Sequence, residues 1–590
     1  MRTVPKAGGS TEAAREVDLL VVGGGAGGMT AALVAALQGL RVVLCEASSQ
    51  VGGTTATSAG TIWVPGNRHG EAAGHGDSVA EGRRYLDTLL GSDDPRGLRA
   101  AYLDSAGDAI DYLERHSQVA FTTSGKHPDY LDLPGAAIAG RALSAREFDG
   151  RLLGADFARI RPPIAEFLLL GGMMANKTDV QALLQRFRSV RHFAHAVRLV
   201  LRYAADRLRY PRGTRLVMGN ALVARLFLSL RNAGVEVLFD TALQRLETEH
   251  GRVVGARLAR EGATQRITAR AGVVLATGGI GHHPELSRAL APPGAGQRSL
   301  AHACVRGDGI VAAQQVGASL DRHPGSFFWQ PVSDVAHPRG LKGLFPHLYL
   351  DRAKPGIIAV NAAGQRFVNE GVSYHHFVEA MLNAAPPAVP AYLVCSADFV
   401  RRYGLGVIAP GTRRLQPWVK RGYIVSADTL DALAARLGID ATGLTRAVQR
   451  FNRHAAQGQD PDFGKGDTEL NRFNGDPAHG PNPCLGVIGP APFCALAIWP
   501  ADAASSSGLA TDADGRVLGA NGAPIAGLYA CGNDMASIMQ GAYPGPGTTI
   551  GPAMVFGYRA ARHAAAARQS AGQATEALVA CPVGNDLRGD

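Results

Sequence analysis

Residues 17–46 read as an apolar run, a glycine turn (Gly23-Gly24-Gly25-Ala26-Gly27-Gly28), an alanine-rich stretch and a second apolar run closed by Glu46. Gly23, Gly25 and Gly28 satisfy G-x-G-x-x-G directly after the first run, and Glu46 follows the last of them by 18 residues. That context demands a strand–helix–strand unit in a parallel sheet, with a dinucleotide seated where the first strand meets the helix. Orphan N–H groups and the helix dipole favour a diphosphate at that point. Glu46 is placed for the hydroxyls of the adenosine ribose. Gly23, Gly25, Ala26, Gly27, Gly28 and Glu46 are the first cofactor candidates.

Three later segments extend this to a flavin. Val51-Gly52-Gly53-Thr54-Thr55-Ala56-Thr57-Ser58-Ala59-Gly60 resembles the second glycine loop of flavoproteins, for which an NAD-only domain has no need. It offers Gly53, Thr54, Thr55, Ser58, Ala59 and Gly60. Gly272-Val273-Val274-Leu275-Ala276-Thr277-Gly278-Gly279 is similar to the buried strand that ends in Ala-Thr-Gly-Gly in large FAD domains, and offers Thr277 and Gly278. Gly527 to Asp534 resembles the late strand that meets the ribityl chain, and offers Gly532 and Asn533. Asp308, in a glycine turn before an expected helix at 310–317, and Thr549 and Ile550 complete the set. The expected cofactor is non-covalent FAD, with no metal.

The chain has 590 residues, 46% of them hydrophobic and 19% charged, enough for more than one core in a globular protein. The expected fold is α/β. A Rossmann-like FAD domain with a three-layer parallel sheet spans 17–325 and 496–565, with an α+β catalytic or cap domain inserted at 326–495. That insert carries a helical stretch at 428–456. Polar tails are expected at 1–16 and, mobile, at 566–590. Seven cysteines without CxxC spacing fit reduced thiols in a cytoplasmic protein. No apolar leader and no run of about 18 apolar residues is found.

Of the net charge of +10, the window 156–215 alone carries +8 (twelve Lys/Arg, four Asp/Glu). So local a charge does not fit a nucleic-acid-binding protein. Within it, 179–210 has apolar residues at helical spacing (Val180, Leu183, Leu184, Phe187, Val190, Ala194, Val197, Leu201, Ala204, Leu208) and arginines opposite. Two readings stand side by side: an amphipathic helix on an anionic membrane, which would make the protein peripheral on the inner face, or a helix packed on the domain with a solvated arginine face.

The stretch Gln540-Gly541-Ala542-Tyr543-Pro544-Gly545-Pro546-Gly547-Thr548-Thr549-Ile550-Gly551-Pro552-Ala553 carries the chemistry. Its prolines and glycines force a rigid turn. Tyr543 supplies a phenolic O–H and Gly547 keeps its N–H, so one turn can aim two donors at one oxygen, the arrangement that stabilises a developing oxyanion.

With Ile358-Ala359-Val360-Asn361, Gly364-Gln365-Arg366-Phe367-Val368-Asn369-Glu370 and Tyr374, these motifs make most of 17–563 resemble the FAD-dependent 3-ketosteroid Δ1-dehydrogenases, relatives of the fumarate reductase and succinate dehydrogenase flavoproteins. The resemblance implies 1,2-dehydrogenation of a 3-ketosteroid in steroid degradation, with electrons passed to a quinone-like acceptor. It implies that Tyr543 and the Gly547 N–H polarise the C3 carbonyl, Tyr374 takes the C2 proton, and Tyr130, in His127-Pro128-Asp129-Tyr130, assists it. A free tyrosine titrates near about 10, so a tyrosine base needs a depressed pKa or a relay. His375 and His376 stand beside it as structural or exposed groups, or as helpers. Ser505-Ser506-Ser507-Gly508-Leu509 carries no cation for a dicarboxylate substrate. Alternatives are a ketosteroid 4-dehydrogenase, another cyclic-ketone desaturase or ene-reductase, and a membrane-peripheral flavin electron carrier.

Overall fold

The structure is a computed structural model that describes residues 15–323, 325–336, 342–348 and 351–579. Its organising unit is β1 (Arg15–Val22), α1 (Ala26–Leu37) and β2 (Val42–Cys45). β1 pairs in parallel with β2 on one side and with Ala263–Leu275 on the other. Leu19, Leu20 and Val21 are fully buried, as expected for a parallel strand covered on both faces. The turn into α1 is possible only with glycine. Gly23 lies at φ 109°, and a Cβ on Gly28 would stand 2.0 Å from the Gly23 carbonyl oxygen.

Among the described residues eight strands form this sheet, in the order Arg516–Leu518, Pro524–Ala530, Ala263–Leu275, β1, β2 and Glu236–Leu238, with Arg252–Arg260 and Thr241–Glu249 running antiparallel beyond Ala263–Leu275. α1 packs against Met218–Asn232 and the C-terminal helix Ile550–Val579. The fold is α/β. A second, wholly antiparallel sheet runs Lys342–Pro346, Phe327–Ala336, Phe493–Ser505, Ala391–Ser396, Ile357–Val360, with Val425–Ala427 beside Phe493–Ser505.

Several expectations are corrected. Phe493–Ser505 stays in the second sheet to its end, past the boundary expected at 495. The helical stretch at 428–456 is two helices, Leu430–Leu437 and Ala441–Ala455. Gly438 ends the first at φ 71° and the Asp440 carboxylate caps the second at Gly443 N–H. The helix expected at 179–210 is also two, Lys177–Leu184 and Val190–Asp206. Folding back lets buried Asp179 share its carboxylate between His195 Nε2 and Arg215 Nη1, each at 2.8 Å. Strand β1 begins at Arg15, inside the expected polar tail, whose residues 1–14 lie outside the described ones. The C-terminal helix continues to Val579, past the start of the tail expected from 566; 580–590 lie outside the described residues. Among the described residues no helix is long and apolar enough to cross a membrane.

Candidate active site

The predicted cofactor residues gather at the carboxyl end of the parallel strands. Gly25 caps α1 without a side-chain partner, and a Cβ on Gly25 or Gly53 would meet nothing within 4 Å. Open space in front of exposed N–H groups is what a diphosphate needs, so these residues fit FAD. Gly27 packs against the Cys531 thiol and the Ala553 carbonyl. Thr55 Oγ1 accepts from Ala26 N–H (3.2 Å), and Glu46 Oε2 accepts from Gly24 N–H (2.9 Å). Thr54 lies in the turn Gly53–Thr57; Ser58 Oγ donates to Thr55 O and accepts from Gly60 N–H; Ala59 is exposed at the rim. A cleft of about 310 Å³ opens beside Gly532, Asn533, Thr548, Thr549 and Phe328, with Ile550 starting the helix behind it.

Asp534, not singled out from the sequence, ties these loops together. Fully buried, it accepts from Thr277 N–H (2.6 Å), the Thr277 hydroxyl and Gly279 N–H (2.9 Å), while Thr277 Oγ1 accepts from Gly309 N–H (3.2 Å). The Thr277–Gly278 turn, the helix opened by Asp308 and the Gly532–Asn533 turn are thus held as one body.

Beside the cleft three tyrosines meet, each no more than 7% exposed. Tyr130 O–H donates to Tyr374 Oη at 3.2 Å. The Tyr130 and Tyr543 rings stack at 5.7 Å and 11°, and Tyr374 stands edge-on to Tyr543 at 5.3 Å. Phe328 closes on Tyr543 at 5.2 Å, which links the cluster to the cleft wall. Tyr374 opens the helix Tyr374–Asn383, capped by Ser373 Oγ at His376 N–H; the dipole there favours negative charge. Burial pushes the Tyr543 phenol upward, against the pull of hydrogen bonds from Tyr374, Thr549 and Thr548, so it stays a neutral donor. Gly547 lies at φ 91°, and a Cβ there would stand 2.6 Å from the Ile62 backbone. Among the described residues nothing accepts from its N–H.

Of the two neighbouring histidines, His375 is fully buried, not exposed. Its Nδ1 accepts from Trp329 N–H (3.1 Å) and its ring packs 5.7 Å from Tyr543. His376 Nδ1 pairs with Ser373 Oγ at 2.7 Å, and burial, then His375, lowers its pKa to about 4. It is neutral at physiological pH and serves the cap of the Tyr374 helix.

Beneath the 543–547 turn lies a buried charge cluster that sequence reasoning missed. Pro544 O accepts from Tyr130 N–H (2.8 Å) and from the Tyr85 hydroxyl (2.7 Å). Asp129, next to Tyr130, accepts from Trp63 Nε1–H (2.7 Å) and Arg141 Nη1 (2.6 Å), and Arg141 also reaches Asp77 (2.6 Å). The four side chains come from positions up to 78 residues apart, so no local pattern announces them.

Comparisons with known proteins place the chain among flavoproteins. The family described as FAD binding domain matches residues 18–550. The 4-oxocyclohex-2-ene-1-carboxylate 5-dehydrogenase of Sinomonas cyclohexanicum is 38% identical over 93% of this chain and 93% of that protein. The 3-oxosteroid 1-dehydrogenase of Mycolicibacterium smegmatis is 36% identical, covering 94% of this chain and 98% of its own length. The crystal structure of 3-ketosteroid Δ1-dehydrogenase from Sterolibacterium denitrificans in complex with 1,4-androstadiene-3,17-dione superposes with a TM-score of 0.87 at 35% identity, covering 94% of this chain and all of that one. A glycine-turn cradle fit for FAD and likeness along nearly the whole length lead to one assignment: the chain belongs to the FAD-dependent 3-ketosteroid Δ1-dehydrogenase family.

Proposed function

We propose that this protein introduces a 1,2 double bond into ring A of a 3-ketosteroid. The observation that carries the reading is the cluster of three buried phenols beside the cofactor cleft. Tyr543 O–H and Gly547 N–H hold the C3 carbonyl oxygen, so that negative charge gathering there is met by donors already in place. This acidifies C2–H, and Tyr374 takes that proton. Tyr374 stands at a helix start, and the O–H of Tyr130 is directed at its oxygen. Tyr130 assists it through that hydrogen bond. FAD, when bound, supplies the acceptor for the hydride leaving C1. A quinone-like compound is the acceptor to which the electrons finally go.

A second reading is favoured by the 38% identity to a dehydrogenase named for an oxocyclohexene carboxylate: the same α,β-desaturation on a small acidic ring ketone. Against it, Ser505-Ser506-Ser507-Gly508-Leu509 offers no Lys or Arg, and a carboxylate held away from water needs a cation or dense hydrogen bonding. Anaerobic bleaching of the flavin band decides between them. A panel of androstane, pregnane, cholestane and bile-acid 3-ketones should bleach it, with product analysis placing the new bond at C1–C2, while 4-oxocyclohex-2-ene-1-carboxylate should leave it yellow. Bleaching by the carboxylate alone would reverse the choice, and bleaching by none of them would leave the electron-carrier reading.

The basic segment is the place for a membrane contact on the cytoplasmic face. Ten of the fourteen exposed large apolar side chains among the described residues fall within it, including Phe187 (81% exposed), Val190 (87%), Leu201 (64%) and Leu208 (85%). So concentrated a patch amid arginines suits an anionic lipid surface. Replacing those four by Ser should abolish sedimentation with phosphatidylglycerol-containing vesicles at low salt and leave flavin content unchanged. Equal sedimentation of variant and parent would remove the membrane from the reading.

A further inference from the structure

A cation is buried beside the cofactor cradle with no anion of its own. Arg161 is 6% exposed and, among the described residues, forms no ion pair. Its backbone is stitched to the loop after β2: Val51 N–H donates to Arg159 O (2.9 Å) and Arg161 N–H to Val51 O (3.1 Å). Nη2 donates to Ser48 Oγ at 2.8 Å and to the Gln50 carbonyl at 3.2 Å. Nε is enclosed and has no partner among the described residues. Buried polar atoms of this kind are nearly always satisfied, so the free donor marks a place for an acceptor.

The contacts lead to the nucleotide. Ser48, which receives Arg161, donates from N–H and Oγ–H to Glu46 Oε1 (3.0 and 2.8 Å), and Glu46 Oε2 accepts from Gly24 N–H in the glycine turn. Arg161 is one hydroxyl removed from the carboxylate placed for the ribose. On its other side lies the 302–304 loop. There His302 Nδ1 accepts from Cys304 N–H (3.2 Å), and burial, then Arg161 and His282, hold the imidazole neutral with a pKa of about 4. Glu46 is the carboxylate whose charge this guanidinium feels, and its oxygens are already engaged by Ser48 and by Gly24 N–H. The ADP half of FAD brings two phosphates and several hydroxyl and ring-nitrogen acceptors.

We propose that Arg161 is a cofactor-binding residue that closes the adenosine end of the site, aligning Glu46 through Ser48 and keeping its Nε–H for an acceptor on the ADP half of FAD. The inference rests on the FAD assignment and is independent of the substrate and of the tyrosine roles. It also gives the start of the basic segment a task apart from any surface contact.

The test is flavin binding, not turnover. Apoprotein prepared from the holoenzyme is titrated with FAD and with FMN, which lacks the adenylate half, and quenching of flavin fluorescence is read. R161Q should weaken FAD by about tenfold to a hundredfold, the loss of one charge-assisted hydrogen bond, and R161K by less. FMN should bind parent and variants alike. FAD affinity of R161Q within about twofold of the parent overturns the proposal, as does an equal loss for FMN, which would make Arg161 a structural residue. Should R161Q fail to fold, the unmutated protein answers. Butanedione labelling of Arg161, followed by peptide mass spectrometry, should be blocked by FAD or ADP and not by FMN; labelling indifferent to ADP overturns the proposal.

Discussion

Tyr543→Phe lowers turnover by about two to three orders of magnitude while the protein keeps its flavin. The size follows from what one preorganised donor contributes at a developing oxyanion. The substitution is clean because only the hydroxyl goes. The ring that stacks on Tyr130 at 5.7 Å and meets Phe328 edge-on at 5.2 Å is retained, so packing at a site 7% exposed is kept. The flavin should be retained because the turns at 23–28, 53–60, 277–279 and 532–534 proposed to hold it are separate from the hydrogen bonds of the Tyr543 hydroxyl, which go to Tyr374, Thr549 and Thr548. Loss should fall on kcat more than on KM, since the bond strengthens as charge gathers on the oxygen. Stopped-flow flavin reduction with a saturating 3-ketosteroid reads the step directly. A rate within about threefold of the parent would remove Tyr543 from the carbonyl.

Much of this architecture is legible in the sequence, and the reasons differ from place to place. The β1–α1–β2 unit is readable because three requirements fall within 30 residues: glycine where a Cβ would collide, an apolar strand covered on both faces, and an acid at the next strand end. Local chemistry dictates that unit. Tyr543 and Gly547 share one turn for the same reason. The paired helices at 177–206 were not readable. Their apolar spacing runs unbroken through 185–189, and the hairpin is set by the carboxylate of Asp179, shared with His195 and distant Arg215. Asp534 failed to announce itself because an acid after a glycine turn is ordinarily a solvated loop residue, and the Asp129–Arg141 cluster because its members lie on separate segments. Their significance lies in partners tens to hundreds of residues away.

That cluster yields the second large effect. Arg141→Met should destabilise the protein by about 3–5 kcal/mol, the cost of removing one partner from a buried charge group. Arg141 is 1% exposed, stands over Trp63 and Tyr85 at 5.1 and 5.7 Å, and divides itself between Asp129 and Asp77. Burial pushes the Asp129 carboxyl up to about 6 against the pull of Arg141, so at neutral pH it is ionised and relies on that partner. Without the guanidinium, two carboxylates are left facing each other in the interior. The damage extends to catalysis because Asp129 is bonded to its neighbour Tyr130, whose N–H holds Pro544 O directly after Tyr543. A displacement there moves the Tyr130 phenol and the 543–547 turn together. Three readings separate positioning from mere stability. The urea midpoint should fall. kcat should fall at temperatures where circular dichroism reports a folded protein. Tyr130→Phe should cost much less in the Arg141→Met background than in the parent, since a misplaced phenol has little left to lose. Asp129→Asn combined with Arg141→Met should recover part of the midpoint, because removing both charges relieves the burial cost that either single change leaves behind. If Tyr130→Phe is as costly in the variant as in the parent, the cluster holds the fold and has no hold on the chemistry.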